Sequence, residues 1–260
     1  MSVAAVELTS VTVSHRQATL ISDITATVEC GEFVALIGRN GAGKTTLLRT
    51  ISGMTAFAGD VRLTGETIRR RSRRQLARTV SLIPQSPTVP AGMCVSHYVA
   101  LGRTPHLGLL GAERPADRRA VSNALQRLDI GLLASRRVET LSGGEMQRVV
   151  VARALAQEAP VMLLDEPTSA LDLGRQQEVL ELVDDLRRDG GLTVIAALHD
   201  LTLAGQFADR LLLIDRGRLV ATGRPRDILS AATVQRYYGA RVEVIANGAA
   251  PVVVPRRRAR

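Results

Sequence analysis

Phe33-Val34-Ala35-Leu36-Ile37-Gly38-Arg39-Asn40-Gly41-Ala42-Gly43-Lys44-Thr45-Thr46-Leu47-Leu48 joins an unbroken apolar run to a helical pattern through a glycine-rich turn. Residues 33–37 read as a buried strand, and residues 45–51 have helical apolar spacing. Between them the spacing G-x-x-x-x-G-K-[ST] lets successive backbone N–H groups wrap a phosphate while the lysine reaches the β- and γ-phosphates. The N-terminus of the following helix points at the same anion. Lys44 is the only lysine of the chain; every other one of its 34 cationic residues is arginine. A compact, rotatable ammonium fits where a planar guanidinium would clash. A glycine-rich turn without a ligand is the alternative, and the lysine, the hydroxyl and the flanking pattern together count against it. The stretch implies nucleoside triphosphate binding through Gly38, Asn40, Gly41, Ala42, Gly43, Lys44, Thr45 and Thr46.

Two further stretches extend that chemistry. Val161-Met162-Leu163-Leu164-Asp165-Glu166 is an apolar strand ending in two carboxylates. A buried parallel strand delivers its carboxyl end to the ligand crevice. Asp165 can there hold Mg²⁺ with Thr45, directly or through water. Glu166 is placed to orient and deprotonate an attacking water. Taken alone, the pair is equally well a strand ending in surface acids; the phosphate loop tips the balance. Leu141-Ser142-Gly143-Gly144-Glu145-Met146-Gln147-Arg148 precedes an apolar helix. It reads either as a simple capped helix start or as a second anion-binding surface. One chain needs one phosphate cradle, so a second suggests service to a nucleotide bound mainly by another subunit.

Composition sets the bounds. At 260 residues, with 45% hydrophobic and 23% charged residues, the chain can bury a substantial core. No apolar run approaches the roughly 18 residues of a membrane span. Met1-Ser2-Val3-Ala4-Ala5-Val6-Glu7 lacks the basic start and long apolar stretch of a signal peptide. Cys30 and Cys94 are too few for a disulfide framework and read as inert core thiols, consistent with a cytoplasmic protein. A net charge of +9 invites a nucleic-acid partner, yet three phenylalanines, three tyrosines and no tryptophan leave few stacking platforms. Arg69-Arg70-Arg71, Arg73-Arg74, Arg136-Arg137 and Arg256-Arg257-Arg258 are scattered and read as solvated surface. Residues 255–260 read as a disordered basic tail, able to touch anionic lipid or nothing at all.

Alternating apolar residues from Val6 to Val28 predict antiparallel strands ahead of the loop. Short strands follow at 59–65 and 80–83. Pro84, Pro87, Pro90 and Gly92 mark a loop, and helical patterns follow at 95–101, 114–128 and 144–156. Strands return at 161–164, 193–198, 211–214 and 218–222, with helices at 174–188 and 201–208. The fold class is α/β: a P-loop nucleotide-binding core (residues 1–86 and 160–222) with an N-terminal antiparallel β-subdomain and a helical insert at 87–159. Residues 223–254 are expected to add helices and a strand.

Together the phosphate loop, residues 141–147, Asp165-Glu166, Ser169-Ala170-Leu171-Asp172 and His199 closely resemble the ATP-binding subunits of ABC transporters, over about residues 6–238. The Leu-Ser-Gly-Gly-Glu signature is highly specific to that class. The resemblance implies a RecA-like ATPase using ATP and Mg²⁺, as a head-to-tail homodimer with each ATP sandwiched between one phosphate loop and the opposing Ser142, Gly143, Gly144 and Glu145. It makes Lys44, Glu166 and His199 catalytic, with His199 the γ-phosphate sensor. It makes Gln85 a ligand-sensing residue at Mg²⁺ and the membrane subunit, beside Thr45 and Asp165, and Asp172 the coupler of the two sites. Where the family has an aromatic residue stacking on adenine, this chain has His15, which either stacks or faces solvent. The implied partners are two integral membrane permease subunits and an extracytoplasmic substrate-binding protein, with the ATPase peripheral on the cytoplasmic membrane face and no nucleic acid. The insert, near residues 87–135, is expected to dock a cytoplasmic helix of the permease. Val99-Ala100-Leu101-Gly102-Arg103-Thr104-Pro105-His106, Asp209-Arg210, Gly217, Gly223-Arg224-Pro225 and Tyr237-Tyr238 look like the branch importing iron–siderophore, haem and cobalamin chelates. Zinc and manganese importers share some of that pattern. A soluble ABC protein acting on ribosomes or DNA would account for the charge, but those usually carry tandem cassettes or long coiled-coil inserts.

Overall fold

A computed structural model describes residues 4–16, 18–108, 111–169, 171–247 and 250–257. Ala170, the first three residues and Arg258 to Arg260 lie outside the described residues.

The central sheet has six strands in the order β10-β9-β3-β8-β7-β6: β3 (Phe33–Ile37), β6 (Val80–Ile83), β7 (Val161–Asp165), β8 (Thr193–Ala197), β9 (Arg210–Asp215) and β10 (Arg218–Gly223). All its pairings are parallel except β9 with β10. Both faces of the parallel strands are covered, which is why they read as unbroken apolar runs rather than alternations. Phe33, Ala35 and Ile37 face one core; Val34 and Leu36 face the other.

On the second face lies a four-stranded antiparallel sheet, β2-β1-β4-β5, built from β1 (Val6–His15), β2 (Ala18–Val28), β4 (Ala58–Leu63) and β5 (Glu66–Thr67). Helix α1 (Lys44–Ile51) packs in the same core, burying Leu47, Leu48 and Ile51. The first face carries α3 (Val95–Ala100), α4 (Pro115–Arg127), α5 (Gly143–Ala156), α6 (Leu173–Gly190) and α7 (Leu201–Phe207). A short helix, α2 (Arg73–Ala77), precedes β6.

The stretch between α3 and α4 is a clamp. A Cβ on Gly102 would sit 2.2 Å from the Arg153 carbonyl oxygen, so α3 can approach α5 this closely only with glycine there. Arg103 is buried and donates to Asp117 of α4 at 3.0 Å, to the Ala156 carbonyl of α5 at 2.8 Å and to Glu158 at 2.6 Å. A His106 ring nitrogen lies 2.9 Å from the Gln157 carbonyl oxygen.

Three sequence expectations are corrected. Cys30 is exposed and Cys94 half-buried, because Cys30 falls in the turn after β2 and Cys94 at the start of α3; neither is a core thiol. One clustered arginine is a staple rather than solvated surface: Arg71 is largely withdrawn from solvent and donates to Glu66, Thr79, Thr64 and the Leu63 carbonyl, whereas Arg69, over the Phe57 ring, and Arg136, bonded to Glu145, are exposed as expected. The chain end is ordered further than expected. After α8 (Pro225–Ile228) and α9 (Ala231–Tyr238), β11 (Val242–Asn247) and β12 (Ala250–Pro255) pair as a hairpin. It lies on α7, where the Val253 N–H donates to Thr202 Oγ1 at 3.1 Å, and Arg256 pairs with Glu243.

Candidate functional site

The loop after β3 and the carboxyl end of β7 are separated in the sheet by β8 alone. Residues 38–44, Asp165-Glu166 and His199, each at or just past a strand's carboxyl end, therefore converge on one edge. This is where ligands bind in open α/β sheets.

Lys44 is buried, and its Nζ donates to the carbonyls of Gly38 at 2.8 Å and Arg39 at 3.3 Å. Burial pulls its ammonium below the ordinary lysine value, opposed by the Glu166 and Asp165 carboxylates. Thr45 Oγ1 donates to Asp165 Oδ1 at 2.8 Å. Burial raises the Asp165 carboxyl, against the Thr45 hydrogen bond and with the Glu166 charge. A desolvated carboxylate beside a hydroxyl is an oxygen pair that suits a hard cation, and Mg²⁺ commonly takes one or two such protein ligands plus substrate phosphates. Among the described residues no group of three or more His, Cys, Asp or Glu forms a metal site, so protein atoms alone do not build a cage.

Glu166 is held from two sides. Its Oε2 accepts from Gln85 Nε2 at 2.7 Å, and its Oε1 contacts His199 Nε2. Its φ of 53° is in the left-handed region, uncommon for a residue with a Cβ, and its N–H donates to the Ala197 carbonyl of β8.

A cavity of about 500 Å³ is lined by Gly41, Ala42, Gly43, Lys44, Thr45, Thr46 and Glu166 on one side, and by Thr19, Leu20, Arg216 and Gly217 on the other. Asn40 is exposed on the loop beside it. Thr19, Leu20 and Arg216 were missed in the sequence, and Gly217 was singled out only as part of the importer-branch pattern, because nothing local marks the start of β2 or the turn between β9 and β10 as a cavity wall. His15 lies at the end of β1, exposed and paired with Ala18, and is not among the described lining residues.

Residues 142–145 are not in that cavity's wall either. Ser142 caps α5: its Oγ accepts from the Glu145 N–H at 3.3 Å, and the Glu145 carboxylate accepts from the Ser142 N–H at 2.7 Å. Gly143 is exposed, and Gly144 lies under the Arg175 guanidinium. Asp172 caps α6 by accepting from the Arg175 N–H at 3.0 Å and is itself exposed. The structure thus brings together Lys44, Thr45, Asp165, Glu166, Gln85 and His199. It leaves Ser142, Gly143, Gly144, Glu145 and Asp172 facing elsewhere.

Residues 21–169 match the family described as ABC transporter. The ferric enterobactin transport ATP-binding protein FepC of Escherichia coli K12 is 42% identical over 98% of this chain and 95% of its own length. The hemin import ATP-binding protein HmuV of Nocardia farcinica is 42% identical over 87% of this chain and 78% of its own. A solved chain of an ABC transporter described as metal-chelate type, in an inward-facing conformation, superposes with a TM-score of 0.85 at 26% identity, covering 98% of both chains.

Proposed function

The chain belongs to the ABC transporter family, and we propose from that premise that it is the ATP-hydrolysing subunit of an importer taking up an iron chelate (siderophore or haem) or cobalamin. The observation that carries the catalytic part is the Glu166 carboxylate, fixed by Gln85 and His199 at the wall of the phosphate-loop cavity.

In this reading the backbone N–H groups of the loop and the N-terminus of α1 hold the phosphates, and the Lys44 ammonium leaves the Gly38 and Arg39 carbonyls to reach the β- and γ-phosphates. Thr45 and Asp165 are the residues that would hold Mg²⁺, and the ion would supply neutralisation of charge on the phosphate oxygens. Glu166 accepts a proton from the attacking water at a carboxylate oxygen, and His199 and Gln85 fix the direction of its lone pairs. When the γ-phosphate is bound, the His199 Nε2–H can turn from Glu166 to a γ-phosphate oxygen.

Ser142 supports the dimer. Its Oγ accepts from Glu145, so its own O–H remains a donor for an anion outside the chain. With Gly143 and Gly144 at the head of a 14-residue helix, it forms a phosphate surface for a second copy's nucleotide. Asp172 lies in the same region and couples the two sites.

Among the described residues no helix is long and apolar enough to cross a membrane. Permease subunits therefore supply the pathway in this reading, and the ATPase docks on their cytoplasmic face. A groove of about 450 Å³ between α1, α2 and α5, lined by exposed Met54 and by Leu76, Leu82 and Arg153, offers a seat for a permease helix beside, rather than within, the expected residues 87–135. A binding protein would deliver the cargo.

The test is reconstitution of the chain with its co-purified permease in vesicles. ATP-driven accumulation of a ferric siderophore, haem or cobalamin, lost in Lys44→Ala, is expected. Accumulation of zinc or manganese ions instead would replace the cargo assignment.

A further inference from the structure

The opposite wall of the nucleotide cavity is built by two segments that the sequence did not mark for nucleotide binding. Thr19 and Leu20 come from β2, and Arg216 with Gly217 form the turn between β9 and β10. That turn is tied to the phosphate loop. The Gly217 N–H donates to the Ala42 carbonyl at 2.9 Å, and the Ser22 N–H donates to the Gly217 carbonyl at 2.8 Å. Gly217 has φ +78°, and a Cβ there would sit 2.6 Å from the Leu20 carbonyl oxygen, so only glycine fits. The turn therefore keeps a fixed distance from the loop.

Arg216 is exposed, and its φ of 45°, followed by +78° at Gly217, is the pair of left-handed residues that the two-residue turn between the paired Asp215 and Arg218 requires; the turn holds the Arg216 backbone at the cavity wall. Elsewhere Arg71, Arg103, Arg187 and Arg210 each pair with a carboxylate. Among the described residues none bonds, pairs or stacks with the Arg216 guanidinium. Leu20 beside it is 41% exposed, an apolar wall suited to a flat base rather than to phosphate.

Resting on the nucleotide reading above, we infer that Arg216 is a specificity-determining residue that lays its planar guanidinium on the nucleobase, with Leu20 as the apolar neighbour. It takes the base-stacking role that the sequence left open at His15. A guanidinium stacks on a ring face by combining cation–π attraction with planar contact, which an ammonium cannot reproduce.

Calorimetric titration of the wild-type chain, Arg216→Ala, Arg216→Lys and His15→Ala with ATP and with inorganic tripolyphosphate tests this. Tripolyphosphate carries the charge without a base. Arg216→Ala should weaken ATP by about 5- to 30-fold and leave tripolyphosphate affinity unchanged. Arg216→Lys, which keeps the charge, should resemble alanine toward ATP, and His15→Ala should bind ATP normally. Equal loss of both ligands, no loss of either, rescue by lysine, or loss in His15→Ala overturns the inference. Failure of the wild type to bind either ligand would instead remove the nucleotide reading.

Discussion

Gln85 Nε2 lies 2.7 Å from Glu166 Oε2, so the segment that leaves β6 for the helical insert is hydrogen-bonded to the carboxylate at the end of β7. The same amide is 3.4 Å from Ser169 Oγ. A shift of the insert that carries Gln85 away would free one Glu166 oxygen. This is a physical route by which a docked partner alters hydrolysis, and linkage requires that ATP then alter partner affinity by the same factor. Gln85→Ala should keep ATP binding nearly intact and weaken the stimulation of hydrolysis by cargo-loaded transport complex. ATPase assays of the assembled complex in bilayers, set against the isolated subunit, read this directly. Full stimulation in the variant would dismiss the link.

Glu166→Gln should bind ATP while hydrolysing it roughly 10²–10⁴-fold more slowly, the usual share of a general base. The amide keeps the shape and the Gln85 and His199 neighbours but cannot take the proton. Single-turnover hydrolysis separates the chemical step from binding, and size exclusion with ATP should show a trapped dimer. Parental turnover would mean that another group is the base.

Lys44→Ala should abolish productive ATP binding, and Lys44→Arg should do the same. The native ammonium turns between two loop carbonyls in a buried space, which a guanidinium cannot enter without displacing the loop. Nucleotide titration checks both variants; normal affinity and turnover in the arginine form would refute the steric argument.

Much of this was readable because the chemistry is local. The parallel strands announced themselves as apolar runs since both faces are covered, and the phosphate loop and Asp165-Glu166 occupy consecutive positions at strand ends. What escaped the sequence is long-range. Thr19, Leu20, Arg216 and Gly217 meet only because β2 and the β9–β10 turn are hydrogen-bonded to each other and the turn to Ala42. Arg71 looked like surface charge because its partners, Glu66, Thr64, Thr79 and the Leu63 carbonyl, are gathered round it only by the turns on either side of it. The final hairpin did leave a trace: Val242 to Ile245 and Pro251 to Val254 are two short runs rich in β-branched residues.

The Arg103–Asp117 pair makes a stability prediction with a pH signature. Both side chains are buried, and the Asp117 carboxyl is held below its ordinary value, chiefly by the Arg114 N–H and also by Arg103, against burial. A depressed carboxylate contributes stability above its unfolded value and loses it as pH falls through the folded one. Asp117→Asn should cost about 3 kcal/mol at neutral pH, since it leaves Arg103 buried with only the exposed Glu158 as counter-charge. Thermal melts of both proteins should differ by a steady margin at neutral pH, and the margin should shrink below about pH 4. A margin independent of pH would assign the loss to packing alone.

Separation of the two anion surfaces within one chain yields the last prediction. Ser142 caps α5 with its acceptor lone pair, and neither it nor Gly144 is among the described residues lining the Lys44 cavity. If each nucleotide needs Lys44 from one copy and Ser142 from another, a defect in either surface disables both sites of a homodimer. Ser142→Arg places a bulky cation where a phosphate must approach, and Lys44→Ala empties the loop of its ammonium; each alone should be inactive. Mixed, the two variants form heterodimers in which one site joins the intact loop of the first chain to the intact signature of the second. The other site carries both defects. Activity should therefore return in the mixture, up to half the parental rate per heterodimer if one site suffices for turnover, and should scale with the heterodimer fraction. A photoreactive ATP analogue should label the loop of one subunit and the signature of its neighbour. No recovery on mixing, with labels confined to a single subunit, would place both surfaces on one nucleotide and refute the shared site.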